Sequence, residues 1–164
     1  MKPHMKSQYF CAYHAKQVCG SETQAFSQWA EVMRRGTKAY VQCRLEAATL
    51  FLNSALDIAQ LRSECNSNNV FSVMHLCKPV EFLIQVAIAE GHFQKATALL
   101  NRLAILDVAS LNTGACELNT FLGEQYAAIE MAEKDSMTTA GVEHSKREAV
   151  TPLMMGGAGA VLLH

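Results

Sequence analysis

Two thiols and an imidazole come close together in Cys11-x-x-His14 and Cys19, and these are soft ligands of the kind zinc selects. A structural zinc site needs four such ligands in a tetrahedral set, usually delivered as two close pairs. The second pair on offer, His75-x-Cys77, lies far along the chain. Separate thiols and surface imidazoles are therefore expected, with no metal. Cysteine–histidine catalysis requires a thiolate held beside a base. None of Cys11, Cys19, Cys43, Cys65, Cys77 and Cys116 sits in a signature of that kind, so no catalytic residue is assigned. The carboxylates available for acid–base work are Glu46, Asp57, Glu81, Glu90, Asp107 and Glu117. They fall singly on faces expected to be polar, where solvation accounts for them. A duplicated Glu-x-x-His motif, the mark of di-iron bundles, is absent. Gly156-Gly157-Ala158-Gly159 has no strand before it and no Lys-Ser or Lys-Thr after it, so it is not a phosphate loop. No cofactor follows from these residues.

Charge narrows the classes further. The 164 residues carry 14 basic and 15 acidic side chains, a net charge of −1. Duplex binders neutralise phosphates and show a basic excess or stripe. Here the one basic cluster, Arg34, Arg35, Lys38 and Arg44, reads as a solvated helix face, and nucleic acid is not expected as a partner. With 50% apolar and 18% charged residues, the chain can bury a core as a single domain. The basic start at Met1-Lys2 is not followed by an unbroken apolar run of signal-peptide type, and no window is long and apolar enough for a bilayer span. The expectation is a soluble cytoplasmic protein, without membrane association, whose cysteines behave as reduced, small hydrophobes.

Only three prolines and nine glycines punctuate the chain, which favours helix. Ser21-Glu22-Thr23-Gln24 has the form of a capping box, and Phe26, Trp29, Ala30 and Met33 follow at three- and four-residue steps. Helical character then runs to about Glu64. One very long helix and two shorter ones compete over that stretch, and ordinary helix lengths favour two, turning near Gln42-Cys43-Arg44. Asn66-Ser67-Asn68-Asn69 reads as a loop and Lys78-Pro79 as the restart, because proline suits the first helical position. Val70–Leu76 reads as an additional turn of helix, and Met5–Val18 as an N-terminal one. Helices are expected again from Phe93 to about Asp107 and from Ala115 to about Lys134. The domain is thus 1–134, with hairpins at about 22–64 and 77–110, a cap helix at about 115–134 and a C-terminal tail over 135–164. The tail's apolar, glycine-rich end reads as flexible, as docked on its own body, or as a segment for a neighbouring copy.

An internal repeat organises the middle of the chain. Ala48-Thr49-Leu50-Phe51-Leu52-Asn53 matches Ala96-Thr97-Ala98-Leu99-Leu100-Asn101 in register at Ala-Thr, Leu and Asn. Upstream stand Arg35-Gly36-Thr37-Lys38-Ala39-Tyr40 in the first copy and Glu90-Gly91-His92-Phe93-Gln94-Lys95-Ala96 in the second. Together these residues resemble the tetratricopeptide repeat. In that family a small residue on the first helix meets small and large residues on the second, across a glycine-containing turn. Gly36 with Ala48, Leu52 and Ala55 carries the likeness in one copy; Gly91, Phe93, Ala96 and Leu100 carry it in the other. The departures are specific: Cys43 stands at the turn glycine of the first copy, Arg35 at a usual leucine, and Ile84 at the small seam residue of the second. The closing proline is missing, and the spacing exceeds the family's 34 residues.

The resemblance implies an all-α fold of antiparallel helical hairpins stacked as a short right-handed superhelix, with a generic helical bundle as the alternative. It implies binding of a protein or peptide on the concave face, lined here by Met33, Thr37, Tyr40 and Val41 and by Glu81, Gln85 and Ile88. The family's carboxylate clamp is not reproduced, since Met33 and Thr37 replace its polar kit. A helix or extended segment fits that mixed face better. For Tyr40 and Ile88, packing between repeats is the simpler role. The functional expectation is a non-enzymatic adaptor or chaperone-like module, and its size and helical pairs also resemble small bacterial secretion chaperones. The alternatives are a structural homo-oligomer, such as a homodimer covering an exposed repeat edge, and a metal or thiol protein built in a bundle.

Overall fold

The computed structural model describes residues 12–65, 71–105 and 115–148, and all regular structure among them is helical. Six helices follow in order: α1 Ala12–Gly20, α2 Glu22–Val41, α3 Leu45–Cys65, α4 Val73–Ala89, α5 Phe93–Ala104 and α6 Ala115–Glu148. The long stretch after Ser21 is two helices, as their ordinary length suggests. Ser21 caps α2: its hydroxyl accepts the backbone N–H of Gln24 at 3.3 Å, satisfying one amide that has no intrahelical partner.

The α2/α3 and α4/α5 hairpins close in the same way. At the first turn Cys43 N–H donates to Tyr40 O and Arg44 N–H to Ala39 O, both at 2.9 Å. At the second, Gly91 N–H donates to Ile88 O at 2.9 Å and His92 N–H to Ala87 O at 2.7 Å. This is the Schellman pattern, which requires a left-handed residue just past the helix. Gly91 adopts it at φ +73°, and Cys43 adopts it at φ +55° despite its side chain. Between α2 and α3 the seam is closed by Gly36. A Cβ there would lie 2.9 Å from both Cγ and Cδ2 of the buried Leu52.

The fourth helix starts six residues earlier than Lys78-Pro79 suggests, taking up the additional turn read at Val70–Leu76. Ser72 precedes its first turn, and the ring nitrogen Nδ1 of His75 accepts Ser72 N–H at 3.0 Å. Pro79 therefore lies inside α4. An interior proline removes the N–H that would bond the carbonyl four residues back, here that of His75. That carbonyl is satisfied across the helix pair instead, by the indole N–H of Trp29 at 3.2 Å. Pairing an orphaned carbonyl in this way removes much of the cost of the proline.

Consecutive helices pack on one another from α2 to α6, except that α4 also meets α2 and α6, and α1 meets both α2 and α3. The buried core includes Leu52, Leu56 and Ile58 of α3, Val80 and Ile84 of α4, and Leu100 and Leu103 of α5. Leu118 and Ile129 attach α6 to it, and Tyr126 O–H donates to Asn101 Oδ1 of α5 at 2.6 Å. The helix does not end near Lys134 but runs to Glu148. No proline interrupts it, and Lys134 pairs with Glu130 one turn back at 2.6 Å. Side chains 133–139 are all exposed, so this part of α6 makes no core. The loop expected at 66–69, Asp107 and the tail from 149 lie outside the described residues.

Candidate functional site

The residues expected to line a partner groove occupy matching positions on α2 and α4. Met33, Thr37 and Tyr40 recur at four- and three-residue steps, and so do Glu81, Gln85 and Ile88, so each trio shares one helix face. The two helices are neighbours. Tyr40 meets Phe82 of α4, the neighbour of Glu81, edge to face, with ring centroids 5.6 Å apart, which joins the two helices.

The members differ in availability. Met33 is buried at 8% exposure and belongs to the core, whereas Val41 is 79% exposed. Thr37 is half-buried, and its hydroxyl turns back to donate to Met33 O at 3.0 Å. Tyr40 and Ile88 pack as partly buried side chains against the core. Glu81 is half-buried and paired with Lys78 at 2.9 Å, and Gln85 is half-buried beside it. These residues thus mix buried, half-buried and exposed side chains on the two helices.

Two members of the basic cluster share one carboxylate within α2. Glu31 takes Arg34 and Arg35 at 2.9 and 2.7 Å, and hydrogen bonds from those two guanidinium groups hold its carboxyl down at about 2. Arg44 donates to Gln42 Oε1 at 2.7 Å, and the Arg35 guanidinium lies 6.0 Å from the Phe51 ring centroid.

The thiols are not equivalent, and two of them correct the expectation of separate reduced cysteines. Cys19 and Cys65 form a disulfide between the ends of α1 and α3, with Cα atoms 5.8 Å apart. Bonded in this way, Cys19 is no longer a metal ligand, while Cys11 and the side chain of His14 lie outside the described residues. Cys43 is exposed and Cys77 buried, both as free thiols. Burial, and then the carboxylates of Glu117 and Glu81, push Cys77 up to about 12. Its thiolate is scarce at neutral pH, which disfavours nucleophilic chemistry. Among the described residues no three His, Cys, Asp or Glu side chains gather as a metal site.

Asp57 also departs from the solvated role expected of the carboxylates. It is 5% exposed, and Arg102 of α5 approaches it at 3.7 Å while donating to Gln60 Oε1 at 2.7 Å. Position 57 sits on the inner side of α3, and a charged partner a hairpin away is invisible to local periodicity. A cleft of about 510 Å³ opens at Gly91, His92, Phe93, Gln94 and Lys95, facing Glu133 of α6. Nothing in the sequence pattern marked it. Around Trp29, the rings of Phe26, Phe71 and His75 pack at centroid distances of 6.2, 6.4 and 4.7 Å. Phe26 and Trp29 were legible as one helical face, but the approach of Phe71 and His75 was not.

Set against protein-family models, curated proteins and solved structures, the chain matches none.

Proposed function

We propose that the protein is a non-enzymatic interaction module, adaptor or chaperone-like, built from tetratricopeptide-like hairpins. Its partner would be a helix or extended segment of another protein, received on the α2/α4 face. The observation that carries this reading is the paired turn. Two hairpins close with the same hydrogen bonds at positions that coincide with the sequence repeat, and their first helices lie side by side. In the tetratricopeptide family that layer is the binding face. The exposed Val41 and half-buried Thr37, Tyr40, Glu81, Gln85 and Ile88 offer both apolar and polar side chains on the two helices, the mixture that a helix-in-groove or strand-like ligand requires. The proposed setting is cytoplasmic, and among the described residues no helix is long and apolar enough to cross a membrane.

The reading is tested by affinity capture with the wild type beside a Thr37→Lys/Gln85→Lys variant whose helicity matches by circular dichroism. A stoichiometric partner that binds the wild type and is lost with the variant supports it. Equal capture by both proteins removes the α2/α4 face from consideration. Self-association is the second reading, favoured by Met131 and Met137, which are 63% and 73% exposed on α6. It predicts a concentration-dependent mass in sedimentation that Met131→Lys/Met137→Lys abolishes.

A further inference from the structure

The first helix is attached to the body in an unusual way. It runs into α2 with Ser21 as the only residue between them. Gly20, its last residue, is exposed and has open space where a Cβ would stand. Nine residues are too few for a helix to persist alone in water, so α1 depends on what holds it. Among its described side chains, 16–20, only Val18 is buried. Two further ties act at the same end. The guanidinium of Arg62, on α3, donates to Val18 O at 3.3 Å and Cys19 O at 3.0 Å, meeting carbonyls that the end of α1 leaves without helical partners. One turn further along α3, Cys65 is bonded to Cys19.

We propose that the Cys19–Cys65 disulfide is a redox latch: closed, it seats α1 over Arg62; opened by a dithiol reductant, it lets α1 swing away about Gly20–Ser21. Three features support this. Both cysteines are half-buried rather than enclosed, so an attacking thiolate can reach the bond. The latch spans the two helix ends alone and leaves α4, α5 and α6 outside its loop. Arg62 is 1% exposed beneath α1, with Glu22 of α2 at 3.9 Å. When its cover leaves, the guanidinium exchanges the Val18 and Cys19 carbonyls for water, which offsets much of the loss of those bonds once the covalent tie is gone. The open state presents a cationic spot and the seat of Val18, and this surface is distinct from the α2/α4 face.

The exchange balances. A thiolate of the reductant attacks one sulfur of the pair and forms a mixed disulfide, and the other cysteine leaves as a thiolate that takes up a proton. The reductant's second thiol then closes its own disulfide and releases the remaining cysteine. Two electrons and two protons pass from the dithiol to Cys19 and Cys65.

Amide hydrogen exchange on the full chain, air-oxidised and then treated with dithiothreitol, tests the latch. Peptides covering 12–20 should exchange at least tenfold faster after reduction, while those of α4, α5 and α6 stay within about twofold. A Cys19→Ser/Cys65→Ser variant should exchange like the reduced protein and ignore dithiothreitol. If that variant does not fold, the oxidised and reduced wild type still decide the matter. Unchanged exchange in 12–20 on reduction would overturn the proposal. So would a uniform acceleration across all helices, which makes the bond a staple of the whole fold, or peptide mapping that finds both thiols free after oxidation. None of these outcomes bears on capture of a partner by the α2/α4 face.

Discussion

The two hairpins share a turn and a repeat, yet each places its glycine where the other has a side chain. In α2/α3 the glycine is at the seam, Gly36, and the left-handed turn is made by Cys43. In α4/α5 the glycine is at the turn, Gly91, and the seam carries the fully buried Ile84. The first hairpin thus has a close seam and a strained turn, and the second a filled seam and a relaxed turn. The same hydrogen bonds at both turns show that the hairpin geometry does not depend on which solution is used. What differs is where each hairpin is vulnerable.

Exchanging the seam residues gives the largest expected effects. Ile84→Gly removes a side chain with no exposure and adds a glycine inside a helix. Cavity formation and lost helix propensity together should cost about 4 kcal/mol, read as a lower urea midpoint. A cost under about 1 kcal/mol would mean that α5 collapses onto α4 and that the seam is not held open by Ile84. The reverse change, Gly36→Ile, drives its Cβ to 2.9 Å from Leu52 Cγ and adds bulk beyond it. Leu52 has no exposure and little freedom to yield, so overpacking should cost about 3 kcal/mol. A variant that melts like the wild type would disprove the close α2/α3 contact.

The turn exchange is smaller and opposite in sign for its two members. Gly91→Ala meets no neighbour within 4 Å, so only its positive φ resists, at a cost of about 1 to 2 kcal/mol. Cys43→Gly relieves the same strain but frees the unfolded chain, leaving a net gain of about 0.5 to 1 kcal/mol. Both are read from thermal or urea melts. If Cys43→Gly destabilises, its exposed side chain makes a contact that outweighs the backbone strain.

These hairpins also show what periodicity can carry. The Ser21 cap, the turn at Gln42-Cys43-Arg44, the all-helical class and the register of Gly36 with Leu52 were legible because each depends on residues a few positions apart or on the repeat itself. Where the start of α4 falls was not. Proline prefers a first turn, and its tolerance inside α4 depends on the Trp29 indole reaching the His75 carbonyl from another helix. Asp57, Arg62 and the Cys19–Cys65 bond share that difficulty, since each is explained by a partner more than 40 residues away. For the proposed binding face, helical spacing placed both trios on faces of neighbouring helices, but it could not separate the buried Met33 from the exposed Val41. That distinction depends on what packs against each turn.

The starts of α2 and α4 offer the finest contrast. Each has a serine followed three residues later by a side chain able to cap, Gln24 in one and His75 in the other. The glutamine does not titrate near neutrality; the histidine does. His75 accepts Ser72 N–H at Nδ1, at 3.0 Å, and a protonated ring has a donor there and cannot accept. Its ring packs 4.7 Å from Trp29 and 5.0 Å from Phe71, and burial lowers its pKa below the ordinary 6.5. The folded state therefore binds fewer protons than the unfolded one. Stability from this group is complete above about 6.5 and is lost as pH falls through that value toward the folded pKa. The wild-type melting temperature should decline from pH 7.5 to pH 5. In His75→Gln, which restores the residue type used at position 24, that part of the slope should vanish. Equal slopes in the two proteins would place the pH dependence elsewhere and leave the two helix starts energetically alike.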